Sequence, residues 1–239
     1  MERAKEKKRS TLKYISLLFV SSFILPLIFQ IIIYNKVKYN FLLFQIFAYA
    51  SIFSCFAIFC RDEIINLIKC SYIVIKNKSY IRNILLLFLF GSFSTIVIQS
   101  IVYLLNMNLL HIRDVNSKDS FENLIKNLIK SNNMQNIIIL LTIVFFSGIV
   151  GPVIEEIIFR GLILQSLRQK MDSKIAIVIG SLIFGLWHIN LYTALCAFLF
   201  GIILSIFYIR YNSIFVPIVI HIGANIFALI NIMLLSVIK

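Results

Sequence analysis

The chain has 239 residues, of which 60% are hydrophobic and only 14% charged, and its mean hydropathy is +0.96. This composition excludes a soluble globular domain and points to a polytopic membrane protein, the lipid bilayer being its solvent. The net charge of +13 does not indicate a nucleic-acid partner, because the Lys and Arg residues lie between apolar runs and form no folded basic face.

The apolar runs are continuous rather than alternating, which disfavours a transmembrane β-barrel. The fold class expected is all-α, a polytopic transmembrane helical bundle of about seven to eight membrane helices. A basic tail over residues 1–13 leads into the first run, Tyr14–Tyr34. That run is too long for a signal peptide and no small-residue cleavage site follows, so it reads as an uncleaved helix with a kink at Pro26. The second run is Phe41–Cys60 and the third Ile84–Leu105. Between them, Arg61–Arg82 has apolar residues near helical spacing, as in a helix partly on the membrane surface. The four cysteines, Cys55, Cys60, Cys70 and Cys196, form no Cys-x-x-Cys pair and read as small buried hydrophobes.

The longest polar connection is 106–135. Within it Phe121, Leu124, Ile125, Leu128 and Ile129 follow the i, i+3, i+4, i+7, i+8 pattern of an amphipathic helix, with Asp119 and Glu122 placed to cap its start. Packing on the bundle is the plain role for such a helix, and a gate or substrate-docking flap the functional one. The fourth run begins at Asn136 and leads into an acidic stretch. The fifth is Lys174–Asn190, the sixth Thr193–Ile209 and the seventh Ile214–Ile238, the last two joined by a polar turn at Arg210–Ser213. With seven crossings and a cytoplasmic N-terminus, the inner segments hold 16 of the 23 Lys and Arg residues and the outer segments 7. That excess predicts the orientation.

Glu155 and Glu156 are the only acidic residues inside apolar sequence. They lie in Gly151-Pro-Val-Ile-Glu-Glu-Ile-Ile-Phe-Arg-Gly161. A charge at membrane depth costs about 2.5–3.5 kcal/mol or more, so it needs a partner. Gly151-Pro152 predicts a break and a new helix, with both carboxylates in its first turns. Glu156 and Arg160 stand at i, i+4, the spacing of an ion pair, while Glu155 points about 100° away toward a cavity. The fifth run carries Phe184 and His188 on one helical face, and the seventh carries His221 and Asn225. Gly223 and Ala224 between them would let another helix come close. His111, in the outer loop, reads as a surface residue. A carboxylate, two imidazoles and an amide can perform hydrolysis in a low-dielectric cavity. The same residue types also suit ion- or proton-coupled transport, or a structural polar network.

Glu155-Glu156-x-x-x-Arg160, then Phe184-x-x-x-His188, then His221-x-x-x-Asn225 resembles the CAAX protease and bacteriocin-processing (CPBP) family of intramembrane proteases, including its Abi members. The three motifs occur in the family's order over roughly 136–232. The resemblance implies one integrated membrane domain, with N-terminal helices over 1–135 and a catalytic helical core over 136–239. It implies Glu155 as the general base that activates water, with His188 holding that water. His221 and Asn225 correspond to the oxyanion pair, and Glu156 with Arg160 to the supporting pair, Phe184 lying beside them. The family is often called metalloprotease. One zinc ion on Glu155, His188 and His221 and a metal-free glutamate mechanism are both compatible with these residues. The implied partner is a membrane-associated peptide or protein in a bacterial cytoplasmic membrane, in bacteriocin immunity, peptide maturation or envelope regulation. A non-catalytic scaffold or immunity factor and a proton-coupled transporter are the competing functions.

Overall fold

The computed structural model describes residues 2–33, 40–76, 83–110, 117–130, 133–188 and 190–238, and among these every regular element is a helix. Helix α1 runs over 2–33, α2 is Asn40–Phe59, α3 Arg61–Lys76 and α4 Ile84–Leu105. Helix α5 is Ser117–Lys130, α6 spans 134–168, α7 is Ser173–Leu186, α8 Leu191–Tyr211 and α9 Phe215–Ile238. The seven to eight crossings expected resolve, among the described residues, into five helices long and apolar enough to cross a membrane. These lie in α1, α4, α6, α8 and α9; Ile46–Phe59 in α2 and Ser173–Leu186 are shorter apolar helices. The 14 residues of α7 reach only about 21 Å, less than the hydrocarbon thickness of about 30 Å. The chain is an all-α multi-pass membrane protein.

The break expected at Gly151-Pro152 does not occur. Helix α6 continues through it, because Phe146–Val150 widens into a π-helical turn in which the Gly151 N–H bonds to Phe146 O. The next bond of that register would come from Pro152, which has no N–H. The Ser147 carbonyl, which Pro152 cannot serve, accepts from Asn225 Nδ2 of α9 at 2.9 Å. The same solution appears in α1. Val20–Ile24 is a π-helical turn closed by Leu25 N–H on Val20 O, and Pro26 follows. Ser21 O, the acceptor that Pro26 cannot serve, lies 2.5 Å from Ser51 Oγ of α2. Neighbouring side chains thus satisfy both carbonyls, as the absence of water at membrane depth requires. Glu155 and Glu156 consequently sit in mid-helix, and the helix-end dipole does not act on them.

The amphipathic stripe of α5 is buried on the bundle. Ile125 and Leu128 pack with Ile143 of α6 and Leu229 of α9. The capping side chains Asp119 and Glu122 fall outside the side chains described, and His111, Lys36 and Lys38 lie outside the described residues. Helix α3 packs against α6, with Leu67 against Gly161. Residues of α1, α3, α6 and the α8–α9 turn meet at one end of the molecule. Lys13 Nζ lies 3.7 Å from Glu63, Thr11 bonds to both Ser166 and Lys170, and Ser71 Oγ accepts from Ile214 N at 3.1 Å. Asn212 closes α8 in the left-handed conformation (φ 49°), which Asn tolerates better than most residues.

Helices α4 and α9 lie in close apposition, as the small residues of α9 predicted. A Cβ on Gly223 would lie 3.0 Å from Phe88 Cα, and Ser92 Oγ donates to Gly223 O at 3.1 Å. Helix α9, which carries His221 and Asn225, is thereby set in depth and rotation.

Candidate active site

The centre of the site is Glu156, whose side chain is completely buried. Its Oε1 accepts from Arg160 Nη1 at 2.7 Å and from His221 Nδ1 at 2.7 Å. The Arg160 contact is the i, i+4 pair, formed here across the π-helical segment Ile157–Leu164. π-Helical turns are rare and occur often at functional sites. Arg160, 1% exposed, is held on two further sides. Its Nη2 donates to Gly201 O of α8 at 3.2 Å, and its Cζ lies 4.4 Å from the centre of the Phe184 ring. Arg160 is thus compensated by a carboxylate, a carbonyl and an aromatic face, as a buried cation must be.

Glu155 stands apart from this pair. It keeps 18% side-chain exposure, and its Oε2 is 3.8 Å from His221 Nε2. The imidazole of His221 therefore spans the two carboxylates, Nδ1 toward Glu156 and Nε2 toward Glu155. Phe184 joins the histidines. Its ring meets His188 edge-on at 5.2 Å and His221 at 5.9 Å between centroids. His188 lies just past the end of α7 rather than within the helix, in a bend after Leu186. Its Nδ1 is 3.0 Å from Phe184 O. A carbonyl can only accept, so Nδ1 carries the proton and Nε2 is free to accept. The second N–H of Asn225 remains after Ser147 is served.

The structure thus brings the three motif segments together. His188, His221 and Asn225 line one cavity of about 150 Å³. Glu155 lines a second cavity of about 270 Å³ that shares no lining residue with the first, and the Glu155–His221 contact links the two walls. Among the described residues no three His, Cys, Asp or Glu side chains converge on a point. The arrangement therefore lacks the three protein ligands of a catalytic zinc site. Two contributors had no chemical signature in the sequence, Gly201 through its carbonyl and Phe200 through a ring 5.4 Å from that of His221. The available signal was size: Gly201 faces Ser181 across α7 and α8, where small residues admit close approach.

Fold and site together define a helical membrane protein with a buried carboxylate–arginine–histidine cluster beside a partly exposed glutamate. Residues 137–227 match the family model described as Type II CAAX prenyl endopeptidase Rce1-like. The chain is similar to YdiL of Bacillus subtilis (strain 168), a protein described as a candidate membrane peptidase, at 39% identity over 87 residues. It is also similar to the membrane-embedded CAAX protease MroQ of Staphylococcus aureus (strain USA300), at 34% identity over 93 residues. Each match covers 36% of this chain, and it covers 36% of YdiL and 38% of MroQ, so the chain spans little more than a third of either relative in alignment. No solved structure gives a significant match.

Proposed function

We propose that the protein is an intramembrane endopeptidase that hydrolyses a peptide bond in a membrane-associated peptide or protein. The observation that carries this reading is the bridging of Glu155 and Glu156 by His221, with Arg160 and Phe184 fixing the buried half. Glu155, the less buried carboxylate, takes a proton from water as the oxygen attacks the carbonyl carbon. His188 Nε2 accepts from that water and orients it. The oxyanion receives the second N–H of Asn225 and, in the doubly protonated imidazole, His221 Nε2–H. Glu155 then returns its proton to the leaving amine. Glu156 is balanced in charge by Arg160, which limits the cost of desolvating the cluster. No step is assigned to a metal. The protein resides in a bacterial cytoplasmic membrane with its N-terminus on the cytoplasmic side.

The test compares wild type and Glu155→Ala in the native host at equal membrane levels, with released and membrane peptides measured by mass spectrometry. A peptide missing only in the variant is expected. Unchanged peptides, with Glu155→Ala still rescuing a deletion phenotype, would instead establish a non-catalytic scaffold.

A further inference from the structure

The two cavities on either side of the Glu155–His221 contact differ in chemistry. The smaller one exposes Thr95, Gln99 and Thr193 beside the two histidines and Asn225, a lining suited to water and a peptide carbonyl. The larger one has Glu155 as its single charged lining residue, and the rest of its wall is mainly apolar. That wall comes largely from outside the segment that matches the family: Ser22 from α1, Ala48 and Tyr49 from α2, closed by Phe159 and Trp187. The Ser22 hydroxyl donates to Leu18 O of its own helix, so its proton is not presented to the cavity.

We propose that this cavity is the subsite for one large apolar side chain next to the scissile bond, and that α1 and α2 set the size it accepts. The proposal rests on the peptidase reading above and names its substrate class. An engineered apolar cavity of about 150 Å³ holds a benzene ring, so the 270 Å³ here takes a leucine, phenylalanine or tryptophan side chain, yet no folded segment. A charged side chain would lose its water among these walls and face Glu155 as its one ionic neighbour. Because Glu155 also faces His221 Nε2 at 3.8 Å, a residue seated here holds its own peptide bond beside the Glu155–His221 contact. The room exists because Ser22 and Ala48 are small.

The experiment uses the full chain in phosphatidylglycerol–phosphatidylethanolamine nanodiscs and a degenerate peptide mixture, with palmitoylated counterparts. Mass spectrometry reads the residues flanking each cleaved bond. Wild type should cut beside Leu, Ile, Phe or Trp on one flank. Ala48→Leu and, from a different helix, Ser22→Leu should each lower cleavage beside those residues by about ten- to two-hundredfold. Both should retain cleavage beside Ala and Ser, which shows the variants to be folded and active. An unchanged flanking preference in both variants would overturn the proposal, as would a wild type with no apolar preference. Cleavage restricted to the palmitoylated peptides, whatever their sequence, would also overturn it and assign the cavity to a lipid chain. Absence of all cleavage by wild type would overturn the peptidase reading itself.

Discussion

Replacing Gly223 by alanine should separate α9 from α4 and disable the site without touching any of its polar groups. Alanine is the better helix former by about 1 kcal/mol, so propensity alone predicts a more stable protein. Packing opposes it. The new Cβ would lie 2.9 Å from the Phe88 carbonyl carbon, about 0.5 Å inside the 3.4 Å where ordinary contact begins, and closer still to the carbonyl oxygen. Both partners are backbone, so no rotamer change relieves the overlap, and overpacking of this kind costs about 1–3 kcal/mol. The clash therefore cancels or exceeds the propensity gain, with a net loss of up to about 2 kcal/mol. Helix α9 must move, and His221 and Asn225 move with it. Displacement on the order of 1 Å in a catalytic group costs up to about a hundredfold in rate. Gly148→Ala in α6 is the control, since its Cβ would meet only side-chain atoms, Ile226 Cγ1 and Leu229 Cδ1, at 3.3 and 3.4 Å. The assays are thermal unfolding in detergent micelles and the yield of the peptide absent from the Glu155→Ala strain. Equal midpoints and equal yields for Gly223→Ala, Gly148→Ala and wild type would refute the reasoning.

Three further outcomes are expected. Arg160→Met leaves Glu156 buried and opposed only by His221, and should destabilise by about 3–5 kcal/mol; the double variant with Glu156→Gln should recover part of that in chemical unfolding. Asn225→Leu removes the donor to Ser147 O and should cost about 1–3 kcal/mol in the same measurement, in addition to any loss of activity. Treatment of the purified protein with a strong zinc chelator should leave peptide cleavage unchanged, read by the same mass spectrometry as the subsite experiment, since the donors do not converge.

Much of the site was legible because its chemistry is concentrated in few residues. The i, i+4 spacing of Glu156 and Arg160 described a contact that forms at 2.7 Å. The small Gly223 and Ala224 announced a close helix neighbour, which is α4. The amphipathic period of α5 identified Ile125 and Leu128 as its buried face. What remained hidden depends on tertiary partners. Gly-Pro reads locally as a helix break, yet a π-helical turn and one distant amide carry α6 through it. Gly201 acts through a backbone carbonyl, which every residue has. The roles of Ser22 and Ala48 come from space they leave open, and their apolar runs give no period that marks a cavity wall.

The two prolines in α1 and α6 also order events during synthesis. Each turns one backbone acceptor into an address that a particular later helix must answer. Ser21 waits for Ser51, 30 residues on, and the first hairpin can close almost as soon as it is made. Ser147 waits for Asn225, 78 residues on. The helix that bears both glutamates thus gains this bond only once α9 has been translated and inserted. A nascent chain arrested before α9 lacks both the Asn225 donor to Ser147 O and the His221 imidazole that spans the two glutamates, so the polar cluster is completed by the last helix made.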